Sequence, residues 1–87
     1  MSTFSFQKSL FSMYINSRGV DKYESESGEI KLVVTHAVDG DTGTFRTFGN
    51  EEEYEAWIDS VVDESDFYYN KARALNSVLN ELEGQAE

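Results

Sequence analysis

The chain has 87 residues, 39% of them hydrophobic, and sets seventeen Asp and Glu against seven Lys and Arg, a net charge of −10. So acidic a chain is a poor direct ligand for nucleic acid or an anionic membrane, both of which are gripped by Lys and Arg, and it favours a basic partner. There is no cysteine, which excludes a disulfide framework and thiolate metal sites and fits a reducing cytoplasm.

The length predicts one small domain over residues 1–87 with a thin core, to which twelve aromatics bring large buried areas. No apolar run approaches the ~20 residues that span a bilayer. The N-terminus lacks the charged-then-apolar layout of a signal peptide.

In chain order, Phe4 and Phe6 alternate and predict a first strand over residues 3–8. Phe6, Leu10, Met13 and Ser17 also fit helical spacing with Ser5 as a cap, so residues 5–16 read either way. The β-branched and aromatic content of Met13-Tyr14-Ile15 favours a second strand over 11–24, bent or bulged at Ser17-Arg18-Gly19. Ser25 to Gly28 is polar and predicts a hairpin turn.

The third strand, 29–38, carries the clearest pattern. Ile30, Leu32, Val34 and Val38 share one face with His36, while Lys31, Val33, Thr35 and Ala37 share the other. Asp39 to Gly43 predicts the next reversal, and Thr44 to Phe48 the fourth strand. The short connections make neighbouring strands antiparallel.

Asn50 and Glu53 form a capping-box pattern at the start of a helix over 51–62, with Tyr54, Trp57, Ile58 and Val61 on its apolar side. Glu51 and Glu52 complement the positive end of its dipole, and the same acids also read as a contact patch. Asp63 to Asp66 breaks the helix. Ser65 or Asp66 is placed to cap a second one over 66–83, stopped by Gly84, with Tyr68, Ala72, Leu75, Val78, Leu79 and Leu82 as its apolar stripe. Phe67, Tyr68 and Tyr69 cannot all face one core, so at least one is expected at the surface. The fold expected is α+β: a single four-stranded antiparallel sheet with two C-terminal helices packed on the Ile30 face.

No catalytic constellation accompanies this scaffold. His36 is the lone histidine, and zinc wants about four nitrogen or sulfur ligands. A calcium loop begun at Asp39 fails, because Gly43 and Asn50 stand where acids are needed. No phosphate-cradling glycine loop or nucleophile elbow is present. A non-enzymatic protein without cofactor or metal is therefore expected. An enzyme using His36 and a self-assembling particle protein are the other classes to be tested.

The stretch Ile30 to Ile58 resembles small phage proteins of the type I-F anti-CRISPR group. The likeness is carried by Ile30-Lys31, Val34, Val38, Gly40, Arg46, Phe48, Glu52, Glu55 and Trp57, and across one small gap by Tyr23-Glu24. The later helix is alike in pattern only, and about two-thirds of the chain is covered. The resemblance implies a four-stranded sheet with two helices and binding to the backbone subunits of a crRNA-guided surveillance complex. Target DNA would then be blocked sterically, in the cytoplasm of an infected host. It also implies that the solvent face of the sheet makes the contact, through two tyrosines and a glutamate. Tyr23 matches one of those tyrosines, Thr35 stands at the glutamate position, and the second tyrosine has no counterpart near Phe6 to Ser9.

The partner-binding set expected is Tyr14, Tyr23, Glu24, Lys31, Val33 and Thr35. The alternative is mimicry of DNA by rows of carboxylates, which would occupy a basic nuclease, restriction enzyme or polymerase. Glu51, Glu52, Asp59, Asp63 and Asp66 would then form the acidic patch.

Overall fold

The structure is a computed structural model and describes residues 3–85. Four strands, β1 (Phe4–Ser9), β2 (Arg18–Ser25), β3 (Ile30–His36) and β4 (Gly40–Phe48), pair antiparallel in the order β1-β2-β3-β4. Three helices follow, α1 (Glu51–Val61), α2 (Glu64–Tyr69) and α3 (Lys71–Gln85). The class is α+β, as the alternation of β3 and the apolar spacing of the last forty residues require. Val20, Ile30, Leu32, Val34 and Phe48 from the sheet bury against Tyr54, Ile58, Val62, Leu75, Val78 and Leu79 from the helical layer. Leu10 seals the end of this core. Among the described residues, no helix is long and apolar enough to cross a membrane.

The expected second strand over 11–24 is half right. Pairing begins at Arg18. Residues before it fold into a tight turn at Leu10–Ser12, where Phe11 and Ser12 take φ of 58° and 53°, and a tight reversal at Asn16-Ser17, closed by two hydrogen bonds between Ile15 and Arg18. Asn16 and Ser17 have φ of 51° and 65°, the double positive pair of a type I′ turn. Thus the bend read at Ser17-Arg18-Gly19 is a hairpin turn one step earlier. The apolar residues that suggested a strand, Phe11, Met13 and Ile15, instead pack against the core from this irregular segment. The bulge in the first hairpin lies in β1, where the register shifts between Phe6 and Lys8.

The third reversal also lies earlier than the glycines suggested. β3 ends at His36, and Ala37 to Asp39 form the turn. Val38, expected on the core face, is 83% exposed there. His36 Nδ1 accepts from the backbone N–H groups of Val38 and Asp39 at 3.2 and 3.4 Å, so the lone histidine braces a turn. Gly40 opens β4 at a φ of 80°, paired with His36. Gly43 is not part of the reversal. It sits in an irregularity of β4 where the register with β3 shifts, held by Thr42 Oγ1 donating to the Val34 carbonyl at 2.9 Å. The fourth strand is therefore nine residues, Gly40–Phe48, and not 44–48.

The capping box forms as the sequence implies. Asn50 Oδ1 accepts from Glu53 N–H at 2.9 Å, and Glu53 reaches back to Gly49 N–H at 2.7 Å. The next cap does not follow the expectation. Asp63, rather than Ser65 or Asp66, caps α2 by accepting from Ser65 N–H at 2.8 Å. The helix expected over 66–83 is two helices. Asn70 leaves helical dihedrals and its Oδ1 accepts from Arg73 N–H at 3.1 Å, starting α3 afresh. The restart turns the buried stripe to Ala74, Leu75, Val78, Leu79 and Leu82, leaving Ala72 and Tyr68 exposed. Gly84 does not stop α3, which runs through it to Gln85.

Candidate functional site

All three helices lie on the Ile30 side, and among the described residues no helix or strand covers the other face of the sheet. That face is built by alternation. Tyr23 on β2 pairs with Lys31 on β3, and Lys31 with Thr47 on β4. One step along, Asp21, Val33 and Phe45 line up across the same strands. β1 adds Phe4 and Phe6, opposite Ser25 and Tyr23.

Aromatic rings and one ammonium organise the surface. Phe6 and Tyr23 meet edge to face with ring centroids 5.8 Å apart. Lys31 Nζ lies 4.7 Å from the Phe45 ring centroid and 5.6 Å from that of Phe4. The cation thus bridges rings from opposite edge strands. Phe4, Tyr23, Lys31, Val33 and Asp41 enclose a shallow depression of about 260 Å³. Phe6 and Phe45 are each 56% exposed. The face presents large rings and the Lys31 ammonium, with the Asp21 and Asp41 carboxylates beside them; aromatic residues of this kind are frequent at protein contacts.

Tyr14 reaches this face from outside the strands. Its ring lies across Gly19, where a Cβ would stand 3.3 Å from the ring carbons, and its hydroxyl is 3.3 Å from Thr35 Oγ1. Gly19 is therefore the residue that lets the ring lie flat against β2. Tyr14 remains 45% exposed.

The structure brings together Tyr14, Tyr23, Lys31, Val33 and Thr35, and separates Glu24 from them. Glu24 pairs with Ile30 and shares the helical side of the sheet, because consecutive strand residues point to opposite faces. Val33 and Thr35 lie on the expected face but are buried, Val33 as the floor of the depression and Thr35 at the Tyr14 hydroxyl. They shape the surface and offer a partner little area. The larger contributors are Phe4, Phe6 and Phe45. Alternation in β1 and β4 was the signal for them, weakened by the uncertain reading of residues 5–16 and by the truncated fourth strand.

The acidic set lies on the other layer. Between residues 51 and 66 there are eight acids and no Lys or Arg. Several already serve the fold: Glu51 pairs with Lys22 at 2.9 Å, Glu53 bonds Gly49 N–H, and Asp63 caps α2. Glu52 and Asp59 are exposed, and Asp66 is half-buried. Lys22 itself is buried on the helical face of β2, 4.8 Å from the Tyr54 ring centroid. Burial, aided by the Glu51 and Glu55 carboxylates, pushes the Tyr54 phenol up to about 12. Among the described residues, no group of three or more His, Cys, Asp or Glu is arranged to hold a metal ion. No protein-family model matches the chain, and no curated protein is similar to it at a significant level.

Proposed function

We propose that this chain is a non-enzymatic, phage-encoded inhibitor. It binds the backbone of a type I CRISPR-Cas surveillance complex through the outer face of its sheet and sterically blocks target DNA. The observation that carries this reading is the uncovered sheet face, where Phe6, Tyr23, Lys31 and Phe45 form one aromatic surface around a single cation. The resemblance over Ile30 to Ile58 supplies the class of target. No cofactor is used, and the charge of −10 draws the protein toward a basic, nucleic-acid-binding groove.

The test is a native-gel competition with purified protein, a type I-F surveillance complex and labelled target DNA. A stable shift of the complex with loss of DNA binding supports the reading. Tyr23→Ala and Lys31→Glu should then relieve the block. If the complex neither shifts nor loses DNA, the target is wrong.

The run of eight acids without a basic residue favours a second reading, DNA mimicry against a basic nuclease, restriction enzyme or polymerase. The two readings separate cleanly. Mimicry requires that Glu52→Gln with Asp59→Asn and Asp66→Asn abolish inhibition while Tyr23→Ala leaves it intact. Glu51 and Asp63 are poor choices for that test, because their removal also disturbs Lys22 and the start of α2.

A further inference from the structure

We propose that α2 is a recognition site for arginine side chains presented by an arginine-bearing segment of a partner protein, with Tyr68 at its centre. α2 contributes no buried residue, although it stands between two well-packed helices. Its rings face solvent instead: Phe67 is 42% exposed, Tyr68 65% and Tyr69 89%. Three consecutive aromatics held at the surface form an apolar patch of the kind that marks contact sites.

The rings are ordered as a series. Phe67 meets Phe11 edge to face at 5.7 Å and Tyr68 at 5.4 Å, and Tyr68 lies 6.5 Å from Tyr69. Phe11 anchors the series to the body of the protein. Tyr68 borders two depressions. One, of about 480 Å³, is lined by Ile58, Asp59, Val62, Glu64, Phe67 and Tyr68. The other is lined by Asp63, Glu64, Ser65, Tyr68 and Tyr69. Each joins aromatic surface to at least two carboxylates.

That pairing selects the ligand. A guanidinium is planar, stacks on an aromatic face and presents a fork of donors to carboxylates. An ammonium is more strongly hydrated and lacks the flat surface. Nucleic acid is repelled by Asp59, Asp63, Glu64 and Asp66, which outnumber Lys71 and Arg73 at the start of α3. A second copy of the chain would bring the same charge against itself. A purely apolar helix would bury Asp59 and Glu64 without partners. An arginine-bearing segment satisfies rings and carboxylates together, with one arginine on either side of Tyr68. The site lies on the helical layer and does not depend on the sheet-face reading. It differs from mimicry in needing the rings as well as the charges.

The experiment is a titration of the ¹⁵N-labelled full chain with a short Gly-Arg repeat peptide, and separately with its Gly-Lys counterpart. Saturable shifts centred on residues 58–69 are expected, with tighter binding of the arginine peptide. Tyr68→Leu should weaken that binding by about threefold to fivefold, the scale of one exposed cation–π contact. Tyr68 is exposed, so this variant keeps the fold, and an unchanged spectrum elsewhere confirms it. Tyr23→Ala, on the opposite face, should bind the peptide like the parent. Equal affinity for the two peptides, shifts spread over residues 51–55 and 81–83, an unaffected Tyr68→Leu, or no shift at millimolar peptide would each overturn the proposal.

Discussion

Removing Glu51 should destabilise the protein more than removing the lysine it neutralises. Lys22 is buried on the helical face of the sheet, with its side chain 9% exposed. The Glu51 side chain that pairs with it at 2.9 Å is 47% exposed. Glu51→Ala takes the hydrogen-bonded carboxylate from a largely buried ammonium, leaving the Tyr54 ring at 4.8 Å and the Glu55 and Asp59 carboxylates further along the same depression. Leaving a buried polar group without its partner costs about 1–3 kcal/mol. Loss of an acid from the first turn of α1 adds roughly 0.3–1 kcal/mol. Lys22→Met removes the charge but keeps the apolar stem against Tyr54, and should fall within about 1 kcal/mol of the parent. The double variant should lie nearer to Lys22→Met than to Glu51→Ala, because no charge is stranded. Urea unfolding followed by Trp57 fluorescence reads all three. If Lys22→Met costs as much as Glu51→Ala, the attraction between the charges stabilises the fold directly, and the reasoning from a stranded cation is refuted.

Three further expectations follow from the same geometry. The Tyr54 phenol ionises near 10 when unfolded and about 12 when folded, so the folded state holds that proton more tightly. Its contribution is complete below pH 10 and is lost as pH rises through 12, at most about 2–3 kcal/mol; urea unfolding between pH 8 and 11.5 should show a steeper alkaline decline for the parent than for Tyr54→Phe. Asn50→Ala leaves Glu53 N–H without its side-chain acceptor and should cost about 1 kcal/mol in thermal or urea unfolding. Gly19→Ala places a Cβ 3.3 Å from the Tyr14 ring and from the Met13 carbonyl. It should cost about 1–3 kcal/mol as overpacking and displace the Tyr14 ring resonances; unchanged resonances would show that the ring does not depend on Gly19.

The sequence was most informative where one periodicity acted alone. β3 alternates cleanly, and Ile30, Leu32 and Val34 are buried as its pattern names, although Val33 and Thr35 on the other face are buried too and Val38 falls in the turn. The capping box at Asn50 and Glu53 needed only local chemistry, and both of its bonds form. The failures share a different cause. Residues 10–17 carry apolar side chains in strand-like order, but four of them adopt positive φ without being glycine. Tertiary burial of Leu10 and packing of Phe11 decide that conformation, and neither leaves a local signal. Asn70 is a polar residue inside an apolar stripe at helical spacing, so it reads as a solvent-facing position. Only the three-dimensional path shows it ending one helix and capping the next. Glu24 was expected beside Tyr23 because the resemblance carries the pair, but adjacent strand residues point to opposite faces, and Glu24 pairs with Ile30.

The separation of charge between the two layers bears on how such a small protein could engage a basic partner. Eight acids crowd the helical layer between residues 51 and 66, while the outer sheet face joins Lys31 to aromatic rings. Long-range attraction follows net charge and brings a basic surface toward either side. Close contact is decided locally. On the sheet face, Lys31 is already shared between Phe4 and Phe45, so it offers a partner a fixed cation flanked by aromatic rings, with Asp41 in the same depression. That feature suits a site with a carboxylate facing the lysine and apolar surface around it. On the helical layer, carboxylates flank Tyr68, which suits arginine. A basic protein that exposes both kinds of surface could engage the two faces at once. Ionic strength distinguishes their roles: salt should slow association through the acidic layer and leave dissociation from the aromatic sheet face nearly unchanged.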